Sequence, residues 1–595
     1  MDFRTFKRTR KYNNLGFTLI EVVIAAAVLF IITAPIFIAY SSFLDVITKN
    51  RWRFAAVSLA QNQIEVVRNM PYEDIGISGG YPPGKLQAEQ NINYRGFPFV
   101  LKTFVRNIDD PFDGTSGSNP NDTAPADYKL VEVRVDCSGC NNFIPLIMTT
   151  TVSPKNLEVL TNNGSLFINV FDANGQSIAN ANVSVINNSV SPPIAINDTT
   201  NNNGVLQLVD IPTSTASYAI TVTKNGYSSD RTYPLGAPSN PNPTKPNATV
   251  AQQQITSASF AIDKISSVYL KTTDEFCAYI PSIGFSIDGT KLIGTNPDIL
   301  KYSNSFETAG DGTKTINSLE WDSYNFTDTD SQYDLSSYIP FFPLIVNPDT
   351  TTQIKWIMNS KNPSALLITV QNQNGDLIND ASVRLTKSGF DKTIFTKRRS
   401  FSQTDWPLGN YSEQSGNIET GTAGKISLSQ IGGLYPTSTE WLISNTFDLG
   451  IQDTTFYNLS WNPTSQPPET GNESLRFQIA ANNDNSTWDF VGPDGASNTY
   501  YTASGTQLHS NHNNKRYLRY KIFLKTENEN FSPELDDLTI GFSSDCLING
   551  QAFINGLSSG TYAITIQKSG YQTYTDAALN ILENWKEYKA TLIAQ

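Results

Sequence analysis

Charged residues are scarce in this sequence, and that shortage limits the classes of protein it can encode. Asp, Glu, Lys and Arg make up 16% of its 595 residues, whereas aromatic residues reach 11%. This balance is typical of exposed β-sandwiches and argues against a helical cytosolic enzyme. The length exceeds what one hydrophobic core supports, so several domains are expected.

Histidine is nearly absent, which restricts enzymatic chemistry. The chain has two histidines, His509 and His512, and both lie in the polar segment HSNH. A catalytic zinc site with histidine ligands, or a catalytic pair of serine or cysteine with histidine, would have to use these two residues, and no further zinc ligands are evident beside them. We therefore expect a solvated loop there, and we predict no catalytic residue, no metal, no cofactor and no enzymatic activity.

Four cysteines are too few for a disulfide scaffold in a chain of this length. Cys137 and Cys140 form the sequence CSGC at the end of a predicted strand. A tight disulfide, half of a zinc site and a redox pair all fit this spacing. The lack of a second CxxC motif and of a predicted helix start favours the disulfide. Cys277 and Cys546 could be paired or free.

Positive charge is also in short supply outside the N-terminus. The net charge is −13; residues 1–16 carry five basic side chains and one Asp, or +4, which leaves −17 for the remainder. A surface of that sign repels phosphate, so no nucleic acid is expected as a partner of the bulk.

An apolar run follows the basic leader at once. From Phe17 to Leu44 the only charged residue is Glu21. A helix of this length, at ~1.5 Å per residue, can span a hydrocarbon core of ~30 Å. The leader should stay in the cytoplasm, which predicts a single-pass membrane protein with its C-terminal bulk outside.

The junction GFTLIE resembles the type IV prepilin signal. Gly16, Phe17 and Glu21 stand at its diagnostic places, directly after the basic leader. The resemblance implies cleavage between Gly16 and Phe17 by prepilin peptidase, and N-methylation of Phe17. It also implies that the Glu21 carboxylate meets the new α-amino group of a neighbouring pilin subunit, which offsets the cost of a charge among apolar helices. The alternative is a plain signal anchor with an incidental glutamate.

Residues 1–16 are thus the predicted leader, and residues 17–74 the transmembrane and assembly helix, ending by Pro71. Pro35 should kink or open this helix. Apolar residues at helical spacing predict the face that packs under a globular head: Val46, Phe54, Val57, Ala60, Ile64 and Val67. The segment 60–76 resembles the end of this helix in minor pilins.

Residues 75–160 predict a small antiparallel sheet on the helix, as in a pilin head. Strand patterns occur in FPFVLKTFVRNI, YKLVEVRVDC and IPLIMTTTV. The second and third strands should pair across CSGCNN.

Internal repeats organise the rest. Residues 164–185 align without gaps to 364–385, and each copy has an Asn-Gly pair expected to turn a β-hairpin. Residues 217–229 resemble 561–573 in the same way. From Gly175 to Tyr218 is 43 residues, whereas Gly375 to Tyr562 is 187. The second copy should therefore contain an inserted domain, near residues 405–545.

Both copies resemble the carboxypeptidase regulatory-like domain, a transthyretin-like sandwich. The Asn-Gly turn, an Ala-x-Val strand and a Tyr-led strand before Gly-Tyr carry this resemblance. It implies sandwiches at 161–262 and at 362–404 joined to 546–595. Residues 263–361 predict another sandwich, and 405–545 resemble a jelly-roll or discoidin-like domain. The expected fold class is mainly β: one long N-terminal α-helix and a small β head, followed by several antiparallel β-sandwich domains.

Acidic loops and tryptophans offer weaker candidates for binding. Residues 109–113 and 327–334 could supply oxygen ligands to calcium, but hydrated loops are the favoured interpretation. Five tryptophans could line a glycan site, although sandwich cores use them more often: Trp321, Trp356, Trp441, Trp461 and Trp488.

The sequence therefore predicts a type IV pilin-like subunit, minor or tip, displayed at the cell surface for structure or adhesion. Its expected partners are prepilin peptidase, other pilin subunits and the cytoplasmic membrane, and a surface glycan or protein could be its ligand. A pseudopilin-like component of a secretion or DNA-uptake machine is one alternative. A membrane-anchored carbohydrate-binding protein is the other.

Overall fold

The structure is a computed structural model that describes residues 18–595, apart from 116–118, 120–121, 123, 156–160, 423 and 583. Within the described part, one long helix precedes a chain of β-strands. The predicted fold class, mainly β with a long N-terminal helix, is confirmed. The chain divides into two compact units: residues up to Asp263 with Ile293–Asp298, and Lys264–Leu292 with Ile299–Gln595.

The helix α1 (Leu19–Arg68) begins at a cap on Thr18 and ends at Asn69, two residues before Pro71. It is continuous through residue 35, so it does not open there, and the kink stays a prediction. A proline removes a single backbone donor, which a helix of 50 residues can lose without ending.

The C-terminal half of α1 packs on the head through one face, and this face differs from the predicted one. Ala60, Ile64 and Val67 are buried as expected, but Phe54 is 80% exposed and Val46 is 55% exposed. The buried stripe consists of Trp52, Ala55, Ala56, Leu59, Ala60, Gln63, Ile64 and Val67. The stripe is rich in alanine because small side chains let the helix approach the sheet closely, a feature that a search for large apolar residues misses.

The head is an antiparallel meander that follows the predicted strands. Its strands are β1 (Glu89–Tyr94), β2 (Phe97–Ile108), β3 (Tyr128–Cys137) and β4 (Leu146–Val152), paired in that order. β3 pairs with β4 across CSGCNN, as predicted. Alternate residues of β2 and β3 are buried against α1, which is the period of two that a strand imposes.

The next module is a sandwich of two sheets. Its strands are β5 (Gly164–Phe171), β6 (Asn182–Asn187), β7 (Ile194–Thr199), β8 (Val205–Ile211), β9 (Ser214–Thr223), β10 (Asp230–Arg231), β11 (Ala248–Val250) and β12 (Ile255–Ala261). The order is β12-β5-β8 in one sheet and β10-β9-β6-β7 in the other, with β11 also on β9. The two sheets share one hydrophobic core.

The predicted hairpin around Asn174-Gly175 is wrong. β5 and β6 lie in different sheets, and only Phe171 and Ser177 form a bridge beside the turn. The chain turns at Asn-Gly and then crosses between sheets, because the apolar residues on either side face the core from opposite layers.

In the second unit, the first module also has two main sheets. Its strands are β13 (Ser266–Thr273), β14 (Gly284–Gly289), β15 (Leu292–Gly294), β16 (Ile299–Leu300), β17 (Ser303–Glu307), β18 (Thr313–Leu319), β19 (Asp322–Asp328), β20 (Tyr333–Ile339), β21 (Leu344–Val346) and β22 (Thr351–Ser360). Of β15, only Leu292 belongs to this unit, because residues 293–298 are part of the first unit. The main sheets have the orders β18-β13-β22-β20 and β17-β14-β19-β21.

A split sandwich surrounds a further module in the same unit. It opens with β23 (Leu366–Asn372), β24 (Ser382–Lys387) and β25 (Phe390–Phe395). The strands that follow belong to the enclosed module: β26 (Arg399–Gln403), β27 (Tyr411–Gln414), β28 (Ile418–Glu419), β29 (Ile426–Leu428), β30 (Glu440–Ser444), β31 (Phe447–Asp448), β32 (Thr454–Asn462), β33 (Leu475–Asn482), β34 (Thr506–Gln507), β35 (Tyr517–Leu524), β36 (Glu534–Leu535) and β37 (Asp537–Ser544). The split sandwich closes with β38 (Gln551–Ile554), β39 (Gly560–Gln567), β40 (Tyr574–Ile581) and β41 (Lys586–Leu592).

Strand pairing shows the nesting directly. β23 pairs with β38 and β41, and β24 pairs with β39, so the two halves of the split sandwich complete each other. The enclosed module has its own core, from Phe401 to Phe542. β26, placed by sequence in the first half of the split sandwich, pairs with β37 of the enclosed module. The domain boundaries themselves stay predictions. As in the first copy, the Asn374-Gly375 turn joins strands of different sheets, so the second predicted hairpin is also wrong.

Among the strands that the structure describes, three sheets are mixed rather than purely antiparallel. In each of the three sandwiches outside the enclosed module, the first strand is a parallel neighbour of the last. These pairs are β5 with β12, β13 with β22, and β23 with β41.

Candidate assembly site

The N-terminal half of α1 carries an apolar surface that nothing in the described chain covers. Its most apolar window has a mean hydropathy of 2.8 and no buried residue, and the helix is long and apolar enough to cross a membrane. Leu19 is 85% exposed, Phe30 75% and Phe37 71%. So much apolar surface is unfavourable in water, and it needs lipid or other helices as its surroundings.

Glu21 lies in the first turn of α1, where its side chain caps the helix. Thr18 donates to Glu21 Oε2 from its backbone N at 3.0 Å and from its hydroxyl at 2.8 Å. The Glu21 backbone N donates in return to the Thr18 hydroxyl at 3.4 Å. This is a capping box, and a carboxylate there also offsets the positive end of the helix dipole.

Thr18 caps the helix, a role that the sequence interpretation did not assign to it. The signal was present, because Thr18-Leu-Ile-Glu21 fits the pattern of Ser or Thr followed three positions later by Glu, just before an apolar run. The predicted processing residues, Gly16 and Phe17, lie outside the described residues, as does the leader 1–16.

Buried polar groups fix the end of α1 to the head. Gln63 donates to the Thr103 hydroxyl at 3.4 Å. Lys129 Nζ donates to the carbonyls of Tyr72 at 3.0 Å and Ile75 at 2.6 Å, and it lies 4.5 Å from the centre of the Tyr72 ring. Burial lowers the pKa of Lys129, while the charges of Glu73 and Asp210 oppose that effect. The turn after the helix is thus held by one cation from the sheet.

The head is also tied to the sandwich that follows it in the first unit. The Arg106 guanidinium binds the buried Asp198 carboxylate through two nitrogens. Asn107 donates to the Val209 carbonyl at 3.3 Å, and the Tyr81 hydroxyl donates to the carbonyl of Asp210. A bidentate, half-buried ion pair is a strong contact, so α1, the head and the first sandwich are connected by directional bonds as well as by packing.

All four cysteines are paired in the structure. Cys137 bonds Cys140 at the end of β3, the arrangement that the sequence favoured, and Cys277 bonds Cys546. The second pairing was left open by the sequence because 269 residues separate the two cysteines.

The histidine segment is only partly the solvated loop that was predicted, because Ser510 and Asn511 are exposed whereas His512 is buried. His512 is 2% exposed, and its Nε2 atom has no hydrogen-bond partner. Burial lowers the pKa of His512 to about 4, with a smaller effect from the charge of His509. His509 uses its Nδ1 atom to accept from the Asn511 backbone N. A buried neutral imidazole of this kind packs in the sandwich.

The predicted acidic loops have separate outcomes. Asp109, Asp122 and Asp127 bring one carboxylate oxygen each within 4.8 Å of one another, a group that could hold a cation. Burial, with the charges of Asp113 and Asp127, raises the pKa of Asp122. In the segment 327–334, burial raises the pKa of Asp328 to about 6, so this carboxylate is less hydrated than expected.

The tryptophans divide between core and surface. Trp356 is fully buried and Trp461 is 3% exposed, as expected for sandwich cores. Trp321, Trp441 and Trp488 are half-buried.

One family comparison bears on the assembly site. Residues 11–37 match the prokaryotic N-terminal methylation motif. The N-terminus is therefore type IV pilin-like, and the motif implies processing by prepilin peptidase and assembly with pilin subunits. The one helix among the described residues that is apolar enough to cross a membrane fits a single membrane anchor.

Comparisons with whole proteins say less about this chain than the motif does. No curated protein matches the chain significantly. Among solved structures, the Bacillus anthracis TIE protein is 11% identical, over 86% of this chain and 74% of that one, with a TM-score of 0.16. A streptococcal ancillary pilin is 9% identical, over 73% and 99%, with a TM-score of 0.15. The shaft pilin SpaA of Lactobacillus rhamnosus GG is 10% identical, over 34% and 100%, with a TM-score of 0.14. Scores this low assign neither a fold nor a function.

Proposed function

We propose that the chain is a type IV pilin-like subunit that assembles through α1 and displays its β modules at the cell surface. The observation that carries the proposal is the coincidence of the methylation motif with an uncovered apolar helix. Prepilin peptidase would cut between Gly16 and Phe17, and Phe17 would then be N-methylated. Other pilin helices would cover the exposed half of α1, while its C-terminal half stays on the head.

The proposal assigns the chain a minor or tip position and a structural or adhesive role. The β modules after the head contain 37 of the strands described above, β5 to β41. A repeating fibre packs small heads more easily than such an array, and a subunit at the end of a filament has free space around it. The role needs no enzymatic activity, and the burial of His512 supports this part of the proposal.

Processing is the first test. Gly16→Arg should leave the leader attached and block assembly, because the peptidase would no longer meet a glycine before Phe17. Mass spectrometry of the membrane-extracted chain should show a methylated N-terminus at Phe17 for the wild type and an uncut leader for the variant. Gly310→Ser, at a glycine outside the leader where an added Cβ meets no atom within 4 Å, serves as the control for effects on expression. A normally shortened chain from Gly16→Arg would overturn the proposal.

Copy number separates the leading proposal from a pseudopilin-like role in a secretion or DNA-uptake machine. A minor or tip subunit should be recovered in sheared filaments at a small fraction of the abundance of the main pilin. A pseudopilin-like subunit should stay in the membrane fraction.

A further inference from the structure

One face of the enclosed module carries aromatic and cationic side chains instead of the usual neutral polar surface. β30, β35 and β33 are adjacent strands, and directly opposite residues project on the same side of a sheet. Trp441 and Arg476 both lie opposite Phe523, which makes a row of three across the sheet. Lys521 is central in the next row, and Arg519 follows two residues further along β35. The inner faces of the same strands supply the core.

A loop adds three more rings beside this face. The segment between β33 and β34 folds back along β33, where Val491 pairs with Ile479 and Tyr501 pairs with Phe477. Gln478 fixes the segment by donating to the carbonyls of Ser497 at 2.7 Å and Thr499 at 2.9 Å. The complete aromatic face consists of Trp441, Trp488, Phe490, Tyr500 and Phe523 with Arg476, Arg519 and Lys521.

Each cation lies over a ring of its own. Arg476 is 4.2 Å from the centre of the Tyr500 ring, and Lys521 is 4.3 Å from that of Trp441. Arg519 is 4.4 Å from the Trp488 ring, and its Nε donates to the Thr446 hydroxyl at 2.9 Å. Rings and cations therefore hold one another in place before any ligand arrives, which lowers the entropy cost of binding.

These cations have no carboxylate partner. None of the three forms an ion pair within 4.0 Å in the described chain, although Arg516, one residue before β35, binds Asp448 at 2.7 Å. Glu413 lies in the row of Lys521 but two strands away, with Ile443 between them. Asp489 is exposed between Trp488 and Phe490 in sequence and pairs with none of the three. Burial lowers the pKa of Lys521 and of Arg519, while Glu413 opposes that effect, so both cations are partly desolvated.

We propose that the aromatic face binds an acidic polysaccharide, whose sugar rings pack on the aromatic side chains while its acid groups pair with Arg476, Arg519 and Lys521. Sugars present flat apolar C–H surfaces that fit aromatic rings, and unpaired, partly desolvated cations favour carboxylates or sulfates over neutral hydroxyls. The proposal specifies a ligand class for the adhesive role proposed above, and it depends on that role only for where the face is displayed.

An acidic peptide fits this face less well. Extended peptides gain affinity by adding a strand to a free sheet edge. β35 is already paired with β30 on one side and with β33 on the other, so the centre of the face offers side chains alone.

Affinity electrophoresis of the whole chain in detergent tests the proposal. The gels contain a polyuronate (alginate), a sulfated glucan (dextran sulfate) or the neutral glucan (dextran). We expect retardation by alginate, dextran sulfate or both, weaker at high salt, and none by dextran. Comparison of the two acidic gels identifies which acid group the face prefers.

Variants locate the binding. Lys521→Gln and Arg519→Gln should each raise the apparent dissociation constant by about tenfold, as expected for loss of one charge-assisted contact. Trp441→Ala should have a similar effect, and the two glutamine variants decide the outcome if it fails to fold. The matched control is Arg231→Gln, which removes a cation lying 4.8 Å from the Tyr233 ring on the first sandwich and should leave binding unchanged.

Several results would overturn the proposal. Equal retardation by dextran would remove the role of charge, and unchanged binding by the glutamine variants would place the site elsewhere. Retardation by polyglutamate equal to that by alginate, or stronger flotation with phosphatidylglycerol vesicles than binding to any glycan, would assign the face to a protein or a lipid. No binding to either acidic glycan would refute it outright. None of these assays requires filaments, so they are independent of the assembly tests.

Discussion

Glu21 has two carboxylate oxygens, and the start of α1 uses one of them. Both Thr18 donors reach Oε2, and no hydrogen bond to Oε1 is formed within the described chain. The residue can therefore cap its own helix and still accept from the α-amino group of a neighbouring subunit. Capping stabilises the monomer's helix, whereas pairing of the charge with an amine matters only where helices meet, so substitutions can separate the two effects.

Glu21→Gln and Glu21→Val should be inserted and cleaved but incorporated into filaments about tenfold less or worse, since either change removes the charge that would pair with an amine between apolar helices. Glutamine still accepts a hydrogen bond from Thr18, so a defect in Glu21→Gln reports charge and not capping. Immunoblots of membrane and sheared-filament fractions measure the effect.

Thr18→Ala is the matched control, because it removes the cap and keeps the charge. It should incorporate nearly as well as the wild type. Equal filament recovery for Glu21→Gln and wild type would show that the carboxylate is a bystander.

His512 should make the enclosed module sensitive to acid. Its pKa is lowered from 6.5 to about 4 by burial, so the folded state binds the proton less readily than the unfolded state. The stability that depends on a neutral imidazole is fully present above pH 6.5 and is lost as the pH falls towards 4, by about 3 kcal/mol in total. His512→Phe should flatten this dependence, as measured by proteolysis in urea with peptide mapping of residues 398–545. An unchanged slope between pH 6.5 and 4 in the variant would contradict the assignment.

At the scale of elements, the enclosed module depends on a strand that lies next to its boundary. β26 pairs with β37 along five residues and places Phe401 in the core, where it lies 4.3 Å from the Phe447 ring centre in a stacked arrangement. Trp406, just beyond β26, is fully buried and donates to the Tyr520 hydroxyl at 2.9 Å. The fold of this module should therefore tolerate a cut before β26 but not after it.

Residues 398–545 expressed alone should fold cooperatively, because an enclosed module with its own core has its ends close together. Residues 405–545, which lack β26, should be less stable by about 3–5 kcal/mol, the usual cost of removing a buried phenylalanine side chain. Urea unfolding followed by tryptophan fluorescence compares the two fragments. Equal midpoints would mean that β26 contributes nothing to the core.

At the scale of the whole molecule, the second unit is closed covalently. Cys277, four residues after β13, bonds Cys546, two residues after β37. Beside this bond the buried Arg399 contacts Glu275 at 3.5 Å and the Ser337 hydroxyl at 3.1 Å. A pulling force applied to the enclosed module would pass through the disulfide to β13 and would not act on residues 278–398.

The first and last strands of three sandwiches are parallel neighbours. Parallel neighbouring strands that are pulled from opposite ends load all their hydrogen bonds at once.

Single-molecule pulling between Lys264 and the exposed Asn472 would test this path. With the disulfide intact, residues 278–398 should not extend. In Cys277→Ser/Cys546→Ser this segment should unfold and lengthen the chain by about 120 residues, on the order of 400 Å when extended. Cys137→Ser/Cys140→Ser is the matched control, because that bond closes only three residues outside the loaded path. Identical extensions with and without the long-range disulfide would refute the bypass.

The sequence by itself determined the features that depend only on short stretches of neighbouring residues. The apolar run with a single glutamate, the glycine before it and the alternating strands of the head each follow from a short pattern, because periodicity and membrane solvation act on neighbouring residues. The repeat spacing likewise predicted that one sandwich is split. The capping role of Thr18 could have been predicted in the same way, since its pattern lies within four residues.

Only the tertiary structure decided which distant segments meet. The Asn-Gly turns were predicted as hairpins, yet their flanking strands join different sheets, because burial of both apolar faces outweighs local pairing. The Cys277–Cys546 bond, the burial of His512 and the placement of Trp441 beside Lys521 join residues far apart in sequence or depend on packing around them. Such contacts come from the way whole sheets pack, and no short window of sequence carries that information.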